Sequence, residues 1–174
     1  AGKLLDAGSY RAGKKSGMWK HFYTAENVVY WSCEYEAGQK HGKETRFFEL
    51  AEDGKTKTEQ HSVYTYYKGV LAGEYVIKDK DGFEIEKGNY VEGKKNGEVF
   101  TYDRTEQVKC VSHFMDGDQS GPATFSNRED KVTIKGGFNK GKRNGKWTYF
   151  DPESGEPQKE MTYVDGVLDG DWKA

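Results

Sequence analysis

The sequence predicts an all-β protein: an elongated, single-layer stack of β-hairpins, about seven repeats of about 24 residues each. Three observations predict it. One unit recurs throughout the chain and is cleanest at residues 90–102, YVEGKKNGEVFTY: an aromatic at a leading position zero, glycine at +3 and +7, often a bulky residue at +9 and an aromatic at +12. Position zero is Tyr10, Tyr35, Tyr66, Tyr90, Phe114, Phe138 and Tyr163, spaced 25, 31, 24, 24, 24 and 25 residues apart. Glycine fills both fixed places in every copy: Gly13, Gly38, Gly69, Gly93, Gly117, Gly141 and Gly166 at +3, and Gly17, Gly42, Gly73, Gly97, Gly121, Gly145 and Gly170 at +7. Composition is the third observation. Only 34% of residues are apolar while aromatics reach 14%, which suits a thin core shared between neighbouring units and sets the chain apart from disordered sequences.

In chain order, a strand-like stretch around Leu4 and Leu5 precedes the first copy, YRAGKKSGMWKHFY. VVYWSCEY, β-branched and aromatic, reads as the strand entering the second. The 31-residue spacing that follows places its extra residues in ELAEDGKTKTEQH, polar and containing Gly54, expected to be a longer loop. The third copy, YYKGVLAGEYVIK, closes on the turn signal KDKDGF; copies four to six keep strict spacing; DPESGEP is a second turn signal, and the seventh copy stops at Trp172. No composition shift marks a boundary, so residues 1–174 read as one repeat domain.

Each unit divides into two strands, such as KCVSHF before position zero and KWTYF after the second glycine. The pair at +2 and +3, for example Glu92-Gly93 or Asp116-Gly117, suits a two-residue hairpin turn. With the turn there, position zero is expected to pair with +5, −2 with +7 and −4 with +9. One face then collects the leading aromatics, the +7 glycines and Trp19, Trp31, Tyr75, Trp147 and Trp172. The +7 glycine is expected to leave room for a ring, so that Gly97→Val would overpack by about 1–3 kcal/mol while Gly82→Val, between units, would cost less. The +12 aromatics Phe22, Phe47, Tyr102 and Phe150 fall on the other face or beyond a bulge.

The pattern Y-x-x-G-x-x-x-G-x-W-x-x-F/Y resembles the variant MORN repeat, including copies found in the bacterial YwqK-like antitoxin family, and the resemblance extends from Tyr10 to Trp172. It implies a MORN-type repeat solenoid of successive hairpins in one twisted sheet, and a scaffold for protein or lipid contacts. The chain departs from the pattern where Lys78 and Ser126 replace the +12 aromatic and where Glu44, Val99 and Ala123 replace the bulky +9 residue.

The net charge of −2 creates no global field toward nucleic acid, and no nucleic-acid partner is expected. No apolar run approaches the roughly 18 residues of a membrane helix, and no stretch reads as a signal peptide. Because the chain opens on Ala1 rather than Met, the compartment stays open between the cytoplasm and, where a segment was removed ahead of Ala1, a secreted or periplasmic one. His21, His41, His61 and His113 are scattered without metal-ligand spacing and read as solvated turn or strand residues. No nucleophile–base or phosphate-loop pattern occurs, so catalytic, cofactor and metal residues are all expected to be absent. Asp79, Asp81 and Gly82 fail as a calcium loop because the first ligand would be Ile77; they read as a β-turn. Cys33 and Cys110, three hairpins apart, are expected to stay unpaired.

Two surfaces compete for function. Lys14, Lys15, Lys40, Lys94, Lys95, Lys142 and Arg143 gather at +4 and +5 beside the hairpin tips, interrupted by Val70-Leu71, Asp118-Gln119 and Val167-Leu168. They read first as a solvated edge. Trp19, Trp31, Tyr75, Trp147 and Trp172 read as a part-exposed strip for another protein, since Trp and Tyr are favoured in contacts. The leading reading is a non-enzymatic scaffold for protein–protein interaction, extending to an antitoxin-like role by resemblance. The alternative is a membrane-associated scaffold holding anionic lipid on its basic edge. An enzyme built on scattered carboxylates is the least supported.

Overall fold

The computed structural model describes residues 5–22, 28–52 and 55–170. All sixteen regular elements among them are β-strands. The chain divides into two compact units, Ala1–Glu84 with Tyr90–Gly93, and Ile85–Asn89 with Lys94–Ala174.

In the first unit β1 (Asp6–Arg11), β2 (Lys14–Phe22), β3 (Val29–Glu36), β4 (Gln39–Glu52), β5 (Lys55–Tyr67) and β6 (Val70–Lys78) pair antiparallel in sequence order. The hairpin of β7 (Glu84–Val91) and β8 (Lys94–Lys95) straddles the division. In the second unit β9 (Gly97–Asp103), β10 (Val108–Met115), β11 (Asp118–Ser126), β12 (Val132–Asn139), β14 (Gly145–Phe150), β15 (Pro157–Val164) and β16 (Val167–Leu168) follow the same order, with the two-residue β13 (Lys142–Arg143) against β12. The architecture is therefore all-β and built of successive antiparallel hairpins, as expected.

The turns explain why an X-Gly pair recurs. At +2 the backbone is left-handed even without glycine, with φ of 49° at Glu92 and 52° at Asp116, and the glycine after each has φ of 81° and 91°. Two successive positive φ values define a type I′ turn, whose twist matches that of the flanking strands. Each turn after the first also leans on the preceding hairpin: for example, the N–H of Gly38 donates to Lys15 O (2.9 Å), that of Gly69 to Lys40 O (2.8 Å) and that of Gly166 to Arg143 O (2.8 Å).

Position zero pairs with +5 as expected, for example Tyr10 with Lys15 and Phe114 with Gln119. Beyond that the ladder differs from the expected register. Ser112 at −2 lies opposite Ala123 at +9, and Cys33 opposite Glu44, so −2 pairs with +9 instead of +7. Three residues, +6 to +8, face one on the partner strand, a bulge that the +7 glycine makes by adopting positive φ, 82° at Gly97 and 108° at Gly121. The +7 glycine consequently serves the backbone. A Cβ on Gly17, Gly97 or Gly145 would meet nothing within 4 Å, and one on Gly42, Gly73 or Gly121 would meet Glu34, Thr65 (3.3 Å) or His113 (3.2 Å), so no position-zero or +9 ring rests on it.

The 31-residue spacing is likewise accommodated differently. ELAEDGKTKTEQH is mostly ribbon, because β4 and β5 continue to pair past the sheet through Leu50–Lys57, Ala51–Thr56 and Glu52–Lys55; Gly54 lies outside the described residues. The register also shifts at Phe22, Phe47 and Phe150, which places these +12 aromatics beyond a bulge.

Candidate functional site

The corrected register builds the core as a single file of side chains running across the strands. In the first unit the file is Gly8, Trp19, Cys33, Glu44, Tyr64 and Tyr75; in the second it is Val99, Ser112, Ala123, Gly136, Trp147 and Met161. Trp19, Cys33, Glu44, Tyr75, Val99, Ser112, Ala123 and Trp147 are buried, and among the described residues the others buried, Ser62 and Cys110, belong to the next row.

Two copies show how a one-layer sheet buries a tryptophan. The Trp147 indole lies on Gly136, is met edge-on by Phe138 (5.2 Å, 89°) and by Tyr163 of the following copy (6.2 Å, 74°), and is roofed by the Arg143 guanidinium at 4.5 Å. Its Nε1–H donates to Gly137 O at 3.1 Å. Trp19 repeats the arrangement on Gly8, between Tyr10 (5.1 Å, 86°) and Tyr35 (6.4 Å, 69°), under Lys15 Nζ at 4.1 Å, with Nε1–H donating to Ser9 O at 3.2 Å. Flanking rings and a long cationic side chain thus provide the cover that a second layer would otherwise give.

This corrects the expected availability of the aromatic strip. Trp19, Tyr75 and Trp147 are only 7%, 3% and 0% exposed and cannot offer their faces to a partner in this structure. Trp31 is half-buried in the neighbouring row, with the His21 ring at 4.5 Å and Lys40 Nζ at 5.5 Å. Trp172 lies outside the described residues. The structure joins Tyr10 and Tyr35 to Trp19, and Phe138 and Tyr163 to Trp147; Tyr66 instead meets Lys40 Nζ at 4.7 Å, Phe114 meets Lys95 Nζ at 5.5 Å, and Tyr90 meets Tyr75 at 4.8 Å.

Copy two departs chemically. Glu44 occupies the place of the tryptophan, is fully buried, and pairs with Lys40 Nζ and with Arg46 Nε at 3.0 Å. Burial works against the Lys40 charge, but the hydrogen bond and the negative charge of Glu44 outweigh it and hold the ammonium above its usual range. Burial, then the Glu44 carboxylate, push the adjacent Cys33 thiol up to about 11. Burial also raises Cys110, and both cysteines are free. An inaccessible carboxylate neutralised by two cations is a structural group: it cannot reach a substrate.

The basic residues are not one uniform solvated edge. Lys15, Lys40, Lys95 and Arg143 at +5 cover rings. At +4, Lys14, Lys94 and Lys142 lay their stems along the glycine of the next turn, Cβ to Cβ about 3.5–3.6 Å if Gly38, Gly117 or Gly166 carried one, and keep exposed heads. Among the histidines, His21 pairs with Asp6, His41 with Glu36 (3.4 Å) and His113 with Glu98 (3.5 Å). The Asp79 carboxylate accepts the N–H groups of Asp81 (2.9 Å) and Phe83 (3.0 Å), which is the expected turn. Among the described residues no three His, Cys, Asp or Glu side chains are grouped to hold a metal.

Among the described residues, exposed apolar side chains group at hairpin tips as Tyr67, Val70 and Val91 in the first unit and as Met115, Val164, Val167 and Leu168 in the second; Leu5, Tyr10, Met18, Tyr30, Phe83 and Val111 are exposed as well. In the sequence Val70-Leu71 and Val167-Leu168 stand out only as gaps in a lysine row. The signal that could have found the tips is the neighbouring +1 position, apolar in the same copies. Comparison with family models and with curated proteins finds no match to this chain.

Proposed function

We propose that the chain is a MORN-type hairpin-repeat scaffold of about seven copies that works without catalysis by holding another protein, with an antitoxin-like role as the specific form suggested by resemblance. The observation supporting it is a division of the apolar side chains: the +9 rings Trp19, Tyr75 and Trp147 are buried in the core, while apolar side chains at several hairpin tips, which a monomer gains nothing by exposing, stand in solvent. Affinity capture from the native source tests the reading, with the wild-type chain compared against a Tyr67→Ser/Val70→Thr/Val167→Thr variant. A specific protein retained by the wild type and lost from the variant supports it; capture of no protein by either sinks it.

The exposed heads of Lys14, Lys94 and Lys142 favour a second reading, attachment to anionic lipid. Co-sedimentation with phosphatidylserine vesicles at low and high salt separates the two, since an attraction among exposed charges weakens as salt screens it.

A further inference from the structure

Tip chemistry changes abruptly at the third copy. Arg11 stands opposite Lys14 in the first tip and Glu36 opposite Gln39 in the second, but Tyr67 stands opposite Val70 in the third. The next turn carries Val91 and is held directly alongside: Gly93 N–H donates to Leu71 O at 2.8 Å, and Val70 Cγ1 stands 3.7 Å from where a Cβ on Gly93 would be. Tyr67, Val70 and Val91 are 56%, 47% and 48% exposed. The Tyr67 ring is already positioned, with the His41 ring at 5.3 Å on one side and Lys68 Nζ at 5.3 Å from its centroid. An anchor fixed before binding loses little freedom on binding.

We propose that Tyr67, Val70 and Val91 form a docking site for a short, extended apolar segment of another protein. This rests on the protein-binding reading and names its surface and the form of its partner. Size argues for the occupant. Three half-exposed side chains present apolar area on the order of 200–300 Å², less than the roughly 300–600 Å² of the largest patch on a typical monomer and enough to cover only a few side chains of a partner. A stable contact with a folded partner or a second copy needs roughly 800 Å² on each side. Backbone chemistry argues for the mode. The Gly69 and Gly93 amides already donate to Lys40 O and Leu71 O, so side chains carry the recognition and strand addition does not. Glu36, Glu92 and Lys68 rim the patch with both signs of charge, so binding depends weakly on salt.

The full chain is panned against a phage-displayed random dodecapeptide library, and an enriched peptide is then titrated by fluorescence anisotropy. The expected result is a family of peptides sharing apolar side chains, with binding weakened about tenfold or more by Tyr67→Ser/Val70→Thr, unchanged by Val167→Thr, and with both variants keeping the wild-type circular dichroism and urea midpoint. Equal binding to the double variant overturns the site while leaving the protein-binding reading intact. A protein captured in pull-down without any enriched peptide overturns the short-segment partner. A wild-type dimer in sedimentation that the double variant abolishes assigns the patch to a second copy, and the absence of both peptide and captured protein removes the proposal together with the reading it rests on.

Discussion

Trp147 lies so close on Gly136 that a single methyl group on that glycine would fall inside the indole. The pairing of the largest side chain with the smallest, repeated by Trp19 on Gly8, is what lets the sheet bury a tryptophan without a second layer.

Gly136→Ala is accordingly expected to destabilise the fold by about 1–3 kcal/mol through overpacking. Gly137→Ala is the control, since its nearest contacts are ordinary ones, Asn144 O at 3.4 Å and Gly121 O at 3.5 Å. Trp147→Leu should recover part of the Gly136→Ala loss. Matching urea midpoints for the two alanine variants would show that the indole moves aside freely.

Gly97 and Gly82 should respond alike to valine. Both have positive φ, 82° and 84°, and at neither would an added Cβ meet an atom within 4 Å. The expected loss is about 1–2 kcal/mol at each, the strain of an L-residue in left-handed backbone. Asparagine should recover much of it at both sites. A much larger loss at Gly97 alone would restore a packing role.

Lys40→Met should be far more damaging than Lys15→Met. The first leaves a fully buried Glu44 with Arg46 as its remaining cation, at about 3 kcal/mol, whereas the second removes a cation over a ring, at about 0.5–1 kcal/mol. Lys40→Met with Glu44→Leu should regain most of the stability. A double variant no better than Lys40→Met would mean that the carboxylate is not the source of the penalty.

Stability should fall in alkali partly through Cys33. Its folded pKa is raised, so the folded thiol keeps a proton that the unfolded chain gives up; the contribution is complete below pH 9 and is lost as the pH rises toward about 11. Lys40, also raised, adds to the loss at higher pH in the same sense. Urea midpoints followed across that window should decline less steeply for Cys33→Ala. Parallel declines would remove Cys33 as a contributor.

The fold was legible where one residue type answers one local demand. An X-Gly pair between strand-like runs specifies a tight turn, and the zero to +5 pairing followed directly from it. The +7 glycine was visible, but its purpose was not: room for a ring and a positive φ leave the same letter in the sequence. An unbroken ladder run from the turn puts −2 opposite +7 and hides the Gly136–Trp147 and Gly8–Trp19 pairs, although both glycines stand in the sequence at −2. The burial of the tryptophans is hidden in the sequence for a related reason. Cover from Arg143 or Lys15 depends on a cation at +5 reaching back over the indole, which strand periodicity alone does not reveal. Glu44 could be seen as a departure at +9, yet its burial depends on Lys40 and Arg46 converging from two sides.

The single file of core residues also sets rules for how such a gene can change length. Within each unit the hairpins of the described residues contribute −2 and +9 residues to the file, so excising a whole period there re-seals it, whereas a one-residue deletion within a strand turns the remaining side chains to the opposite face. The seam matters as well. Removing residues 112–135 keeps Gly136 in front of Trp147, but excising a period that begins at Phe114 would deliver Ser112 to the indole in its place. Growth and loss in this chain are therefore quantised, with breakpoints favoured just ahead of the glycine that each tryptophan requires.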